Sequence, residues 1–214
     1  KNLIPVILIT GLIILGVFLY NQDASKTEKS ADNQIKIGII LGFTGPIESL
    51  APVMAKSAEL AIEEVNKSGN FMDGAQLKAV RADSTCVDAA AAQAAAERLI
   101  TSDKVSAIMG ADCSGVTTAV LKNVAIPNGI LMISPSATSP ALSTEPDNDL
   151  FFRTAPSDAR QGEVIADLLM EKGFKTAALT HTNNDYGKGL AASIKSNYEA
   201  KGGTITISAS HEDG

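Results

Sequence analysis

Between Ile35 and Ser210 the chain alternates short apolar runs with longer amphipathic stretches, and this alternation restricts the fold more than any other feature. "IKIGIIL" (35–41) reads as a buried strand, and "APVMAKSAELAIEEVNKSG" (51–69) carries apolar residues at helical spacing and ends in glycine. Strand "LKAVRAD" (77–83), helix "DAAAAQAAAERLITS" (88–102), strand "VSAIMG" (105–110), a helix over 114–123 and strand "GILMIS" (129–134) follow. After a long loop the pattern resumes with "LFFRTA" (150–155), helix 157–173, strand 175–181, helix 187–202 and strand 204–210. Repeated βαβ units of this length imply an α/β fold with parallel sheets and helices on both faces. The alanines of 88–102 are read as close packing of that helix on a sheet.

Open parallel sheets bind ligands beyond the carboxyl ends of their strands. The loops there are "GFTGPIES" (42–49), "STC" (84–86), "ADCSG" (111–115) and "PSATSPALST" (135–144) in one sheet, and "TNNDYG" (182–187) in the other. They are rich in glycine and hydroxyls and hold no catalytic pair. Cys86 and Cys113, the two cysteines of the chain, both fall at strand ends on one sheet edge, which points to a disulfide. Two cysteines with the distant His181 and His211 are too few for a metal, and neither a metal nor a cofactor is expected. Ser114 stands where a strand has ended and a helix begins. Its side chain is placed either to cap that helix or to meet a ligand, with backbone N–H groups pointing outward at the positive helix end. A second hydroxyl-rich turn, "SPSAT" (134–138), faces the same crevice, and the pair suits a carboxylate.

The chain carries a formal net charge of -6, scattered basic residues and no tryptophan, so neither a phosphate backbone nor nucleobases find a partner surface. Leu3 to Tyr20 is free of charge. As a helix it would reach roughly 27 Å, enough to cross a bilayer. Residues 1–22 therefore read as a signal anchor or a cleaved signal peptide, and 23–34 as a polar linker. Either reading exports the remainder, to the periplasm or cell surface, with membrane attachment if the segment is retained.

"GFTGPIES", Cys86 with "DCSG", "ISPSATSPAL" and "NNDYGKGLA" occur in this order, and the set resembles the type I periplasmic-binding-protein fold, more closely the branched-chain amino-acid binding proteins of ABC importers. The resemblance covers about residues 35–214. It implies two lobes, each a parallel sheet flanked by helices, here 35–153 and an incomplete 154–214 after the N-terminal hydrophobic helix. The cysteines match the family's disulfide. The resemblance also implies that a free amino acid lies between the lobes, with Ser114 donating to its α-carboxylate, Ser136, Ala137 and Thr138 beside it, and Tyr186 laid over it. The alternative reading of Tyr186 is a loop tyrosine packing on its own lobe. Leu50 and Asp185 complete the expected pocket. Where the family often has an aromatic residue followed by glycine, this chain has Leu50 and Ala51, which leaves side-chain specificity open. The acidic partner of the α-ammonium group is expected beyond Gly214, so the chain reads as a fragment.

Three function classes follow. The first is an extracytoplasmic solute-binding protein that passes an aliphatic amino acid to an ABC importer permease. The second is a sensing ectodomain of a receptor, or a binder of amides or urea. The third, an enzyme, finds no support, because "GIILGFTG" lacks G-x-G-x-x-G spacing, no G-x-S-x-G elbow is present, and neither histidine adjoins a nucleophile.

Overall fold

A computed structural model describes residues 33–212. The expected apolar segment 1–22 and most of the linker lie outside them. Among the described residues no helix is long and apolar enough to cross a membrane.

Strands β1 (Gln34–Leu41), β2 (Gln76–Asp83), β3 (Ala107–Gly110), β4 (Leu131–Ser134) and β5 (Phe151–Arg153) pair in parallel in the order β2-β1-β3-β4-β5. Helices α1 (Ala51–Ser68), α2 (Ala89–Thr101) and α3 (Ser114–Val120) supply the crossovers. Successive side chains of β1 point to opposite faces, as a strand requires. Ile40 packs with Ile108, Met132, Leu99 and Val120 on the α2/α3 side, whereas Ile39 and Leu41 meet Ala51 and Ala55 of α1 on the other. Both faces are covered, which is why β1 reads as a continuous apolar run. Each such aliphatic side chain contributes about 1.5–3 kcal/mol on burial.

The helices end where local chemistry ends them. Gly69 closes α1 with φ 65°, a left-handed conformation that costs glycine nothing. Asp88 accepts the N–H groups of Ala90 and Ala91 at the start of α2. The alanines at 92 and 96 and Leu99 form its buried stripe, as close packing requires. The helix expected over 114–123 runs further: α3 passes through a π-turn (Leu121–Ala125) into a last turn at Ile126–Asn128.

The second sheet contains β6 (Thr176–Thr182) and β7 (Thr204–His211), paired in parallel, with α5 (Asp185–Ala200) packed on it and α4 (Asp158–Glu171) packed against α5. Gly162 permits their close approach, since a methyl group there would collide with Ser193. Tyr198 is fully buried beneath them and donates its hydroxyl to the Phe174 carbonyl at 2.9 Å.

The expected disulfide is formed: Cys86 and Cys113 lie 27 residues apart in sequence with Cα atoms 5.2 Å apart. In the chain-entropy treatment a loop of that size stabilises by about 3.5 kcal/mol. Urea unfolding of the Cys86→Ser/Cys113→Ser double variant is expected to show a loss of that order, with a steeper slope because the unlinked unfolded chain exposes more surface.

Candidate functional site

The site begins with a buried carboxylate. Asp112, just past β3, accepts the Gly42 N–H at 2.6 Å, the Cys113 N–H at 3.0 Å and the Ser84 hydroxyl at 3.2 Å. These bonds join the loops after β1, β2 and β3. Burial pushes the Asp112 carboxyl above its ordinary pKa in spite of them. Beside it, burial raises the Asp83 carboxyl, but bonds from Thr44 and Thr85 outweigh this and hold it low.

Ser114 is the first residue of α3, and Cys113 occupies the cap position. Its hydroxyl caps no helix, contrary to one of the two readings of the sequence. It accepts the N–H groups of Thr138 and Ser139 instead, at 3.2 and 3.1 Å. The loop after β4 brings these donors to an oxygen that is almost wholly buried, and a buried N–H must find an acceptor. With both acceptor positions filled, Ser114 Oγ can still act as a donor through its own proton.

The other expected residues separate. Ser136 donates its hydroxyl to the Asp112 carbonyl at 3.0 Å, so its side chain holds the loop where the residue lines the cavity. Thr138 donates to Asp158 at 2.7 Å and accepts the Asp158 N–H on its carbonyl at 2.9 Å. Ala137 is not brought to the cavity. Its N–H bonds to Ser134, its carbonyl to Arg153, and its side chain belongs to the first-lobe core. Tyr186, in the first turn of α5, stands 43% exposed on the cavity wall. Asp185 turns away from that cavity to line a neighbouring one with Cys86 and Gly115.

The cavity between the lobes measures about 510 Å³. Its polar lining includes Ser114, Ser136, Thr138, Asp158, Gln161 and Tyr186, and its apolar lining Pro46, Ile47, Leu50 and Met54. Asp158, Gln161 and Met54 were not singled out in the sequence. Met54 lies one helical turn beyond Leu50, a spacing that would have exposed it. Asp158 reads as an ordinary first-turn acid, and only its pairing with Thr138 gives it a place here. Arg153 was also missed: it donates to the carbonyls of Ala137 and Ser139 at 3.1 and 2.9 Å and holds the loop from below. Among the described residues no group of three or more His, Cys, Asp or Glu could hold a metal.

The cavity thus combines hydroxyls and a carboxylate with apolar side chains. The architecture is α/β with parallel sheets flanked by helices, and residues 34–214 match the family described as "Periplasmic binding protein", so the chain belongs to it. It is 34% identical over 178 residues to the leucine-, isoleucine-, valine-, threonine-, and alanine-binding protein of Pseudomonas aeruginosa, a match spanning 83% of this chain and 46% of that protein. The branched-chain amino acid transporter substrate binding protein LivJ of Streptococcus pneumoniae, solved with isoleucine, aligns with TM-score 0.72 and 33% identity over 85% of this chain and 50% of that one. An ABC transporter substrate-binding protein of Desulfitobacterium hafniense, solved with leucine, gives TM-score 0.69 and 28% identity over 83% and 51%. The chain spans about half the length of these relatives.

Burial holds the Asp158 carboxyl above its ordinary pKa, against the Thr138 bond and the charge of Arg153. The folded protein thus binds this proton more tightly than the unfolded chain, whose aspartates titrate near about 3.9. The stability Asp158 contributes is present at acid pH and declines as pH rises from about 4 through its folded value. In urea unfolding of the ligand-free protein from pH 4 to 7, Asp158→Asn should lack this decline, and the stability of wild type relative to the variant should fall as pH rises.

Proposed function

We propose that this chain is the ligand-capturing part of an extracytoplasmic solute-binding protein that takes up a free amino acid with an aliphatic side chain and presents it to the permease of an ABC importer. The observation that carries the reading is the Ser114 hydroxyl on the cavity, which accepts two N–H groups and so has its own proton to offer to a ligand. An α-carboxylate accepts that proton and the Ser136 N–H. Charge-assisted bonds of this kind are about twice as strong as neutral ones. Asp158, on the same cavity, supplies the negative charge that an α-ammonium group requires. The aliphatic side chain then lies along Ile47, Leu50 and Met54, where it leaves water. Tyr186 covers the ligand from the second lobe, and closure replaces water by dipoles already oriented.

The relatives' bound leucine and isoleucine support this choice of ligand, and the family's character supports export, for which the charge-free segment 3–20 is suited. Delivery to a permease follows from the same kinship and not from any surface described above.

Calorimetric titration of the exported protein with leucine, isoleucine and valine is expected to show saturable binding. Ser114→Ala should weaken it by about 1–3 kcal/mol, since the ligand's buried carboxylate loses a donor. Thr138→Ala should weaken it by a similar amount, about 1–3 kcal/mol, by releasing Asp158. Binding of none of the three amino acids would overturn the reading.

A further inference from the structure

Helix α5 of the second lobe meets the first lobe at Gly189, its fifth residue. A methyl group placed on Gly189 would lie 2.9 Å from Pro140 Cδ and 3.3 Å from Ser139 Oγ. Separations below 3 Å do not occur between such atoms without movement. The proline ring is covalently stiff and cannot swing aside as a long side chain would. Ser139 is almost wholly buried and donates its N–H to Ser114 Oγ at 3.1 Å, while its carbonyl is held by Arg153. The first-lobe side of this contact is therefore the same short segment that positions Ser114. At the other end of the first-lobe surface, Asp185 of α5 comes within 4 Å of the same construction on Gly115, an ordinary contact that a methyl group would not disturb.

Glycine at an interior helical position weakens the helix relative to alanine. Nothing inside the second lobe requires glycine here, because the nearest atoms belong to the first lobe and φ at Gly189 is not in the left-handed region. We propose that Gly189 is a positioning residue for ligand capture: its missing side chain sets how closely α5 can approach the Ser139–Pro140 turn, and so how far the lobes close on the amino acid. The inference rests on the reading of the cavity as an amino-acid site. It predicts that a change which improves the helix harms binding.

The test is titration of leucine, isoleucine and valine into wild type, Gly189→Ala, Pro140→Ala and the double variant, with thermal unfolding of each without ligand. Overpacking the contact between the lobes should weaken Gly189→Ala about tenfold or more in Kd, while in the Pro140→Ala background the same change leaves the ligand-free midpoint equal to or above that of Pro140→Ala alone. Removing the proline ring makes room for the methyl group. The double variant should therefore bind within about twofold of Pro140→Ala alone, the pattern of two directly interacting sites. Wild-type affinity in Gly189→Ala would overturn the closure role and leave the amino-acid site standing. So would an equal loss in the Pro140→Ala background, which would place the effect elsewhere. A ligand-free midpoint lower in the double variant than in Pro140→Ala alone would mean that the methyl group damages the second lobe itself, and would also overturn the proposal. If wild type binds none of the three amino acids, the site reading fails and the closure role falls with it.

Discussion

The buried carboxylate of Asp112 is the interaction on which the ligand-facing edge depends. Three parallel strands end side by side, and their loops would otherwise leave N–H groups buried without acceptors. A single side chain accepts from Gly42, Ser84 and Cys113, and its carbonyl accepts from Ser136. The disulfide then fastens the loop after β2 to the start of α3. Removing the carboxylate would leave several donors unsatisfied at once, a larger cost than the loss of one average hydrogen bond.

From this fixed edge the remaining polar contacts run outward as a chain. Ser114 gathers the loop after β4, Thr138 passes the connection to Asp158, and Asp158 opens the first helix of the second lobe. The lobes are thus linked by side chains that line the cavity itself. A ligand that engaged Ser114 and Asp158, as proposed, would act on the contact between the lobes directly.

Much of this was legible in the residues. The period of the apolar pattern changes cleanly between strands and helices, and the sheet edge follows from the parallel topology that the alternation requires. The cysteines declared their pairing through number and place. The individual roles were less visible. Ser114 carries the same local signal whether it caps a helix or receives distant N–H groups, and Ala137 sits in the loop's sequence but not in its ligand-facing surface. Asp158 and Arg153 lack any motif, because their partners lie 20 and 14 to 16 positions away.

What the sequence by itself determined is the order of strands and helices, their covering on both faces, the polar loops at one edge and the chemistry of their side chains. These depend on hydrophobic period and local propensity, which short stretches contain in full. Tertiary structure alone decided which partners the loop hydroxyls take within the protein, and how near α5 comes to the Ser139–Pro140 turn. Those outcomes are set by contacts of about an ångström's tolerance between segments far apart in the chain, and no local pattern encodes such distances.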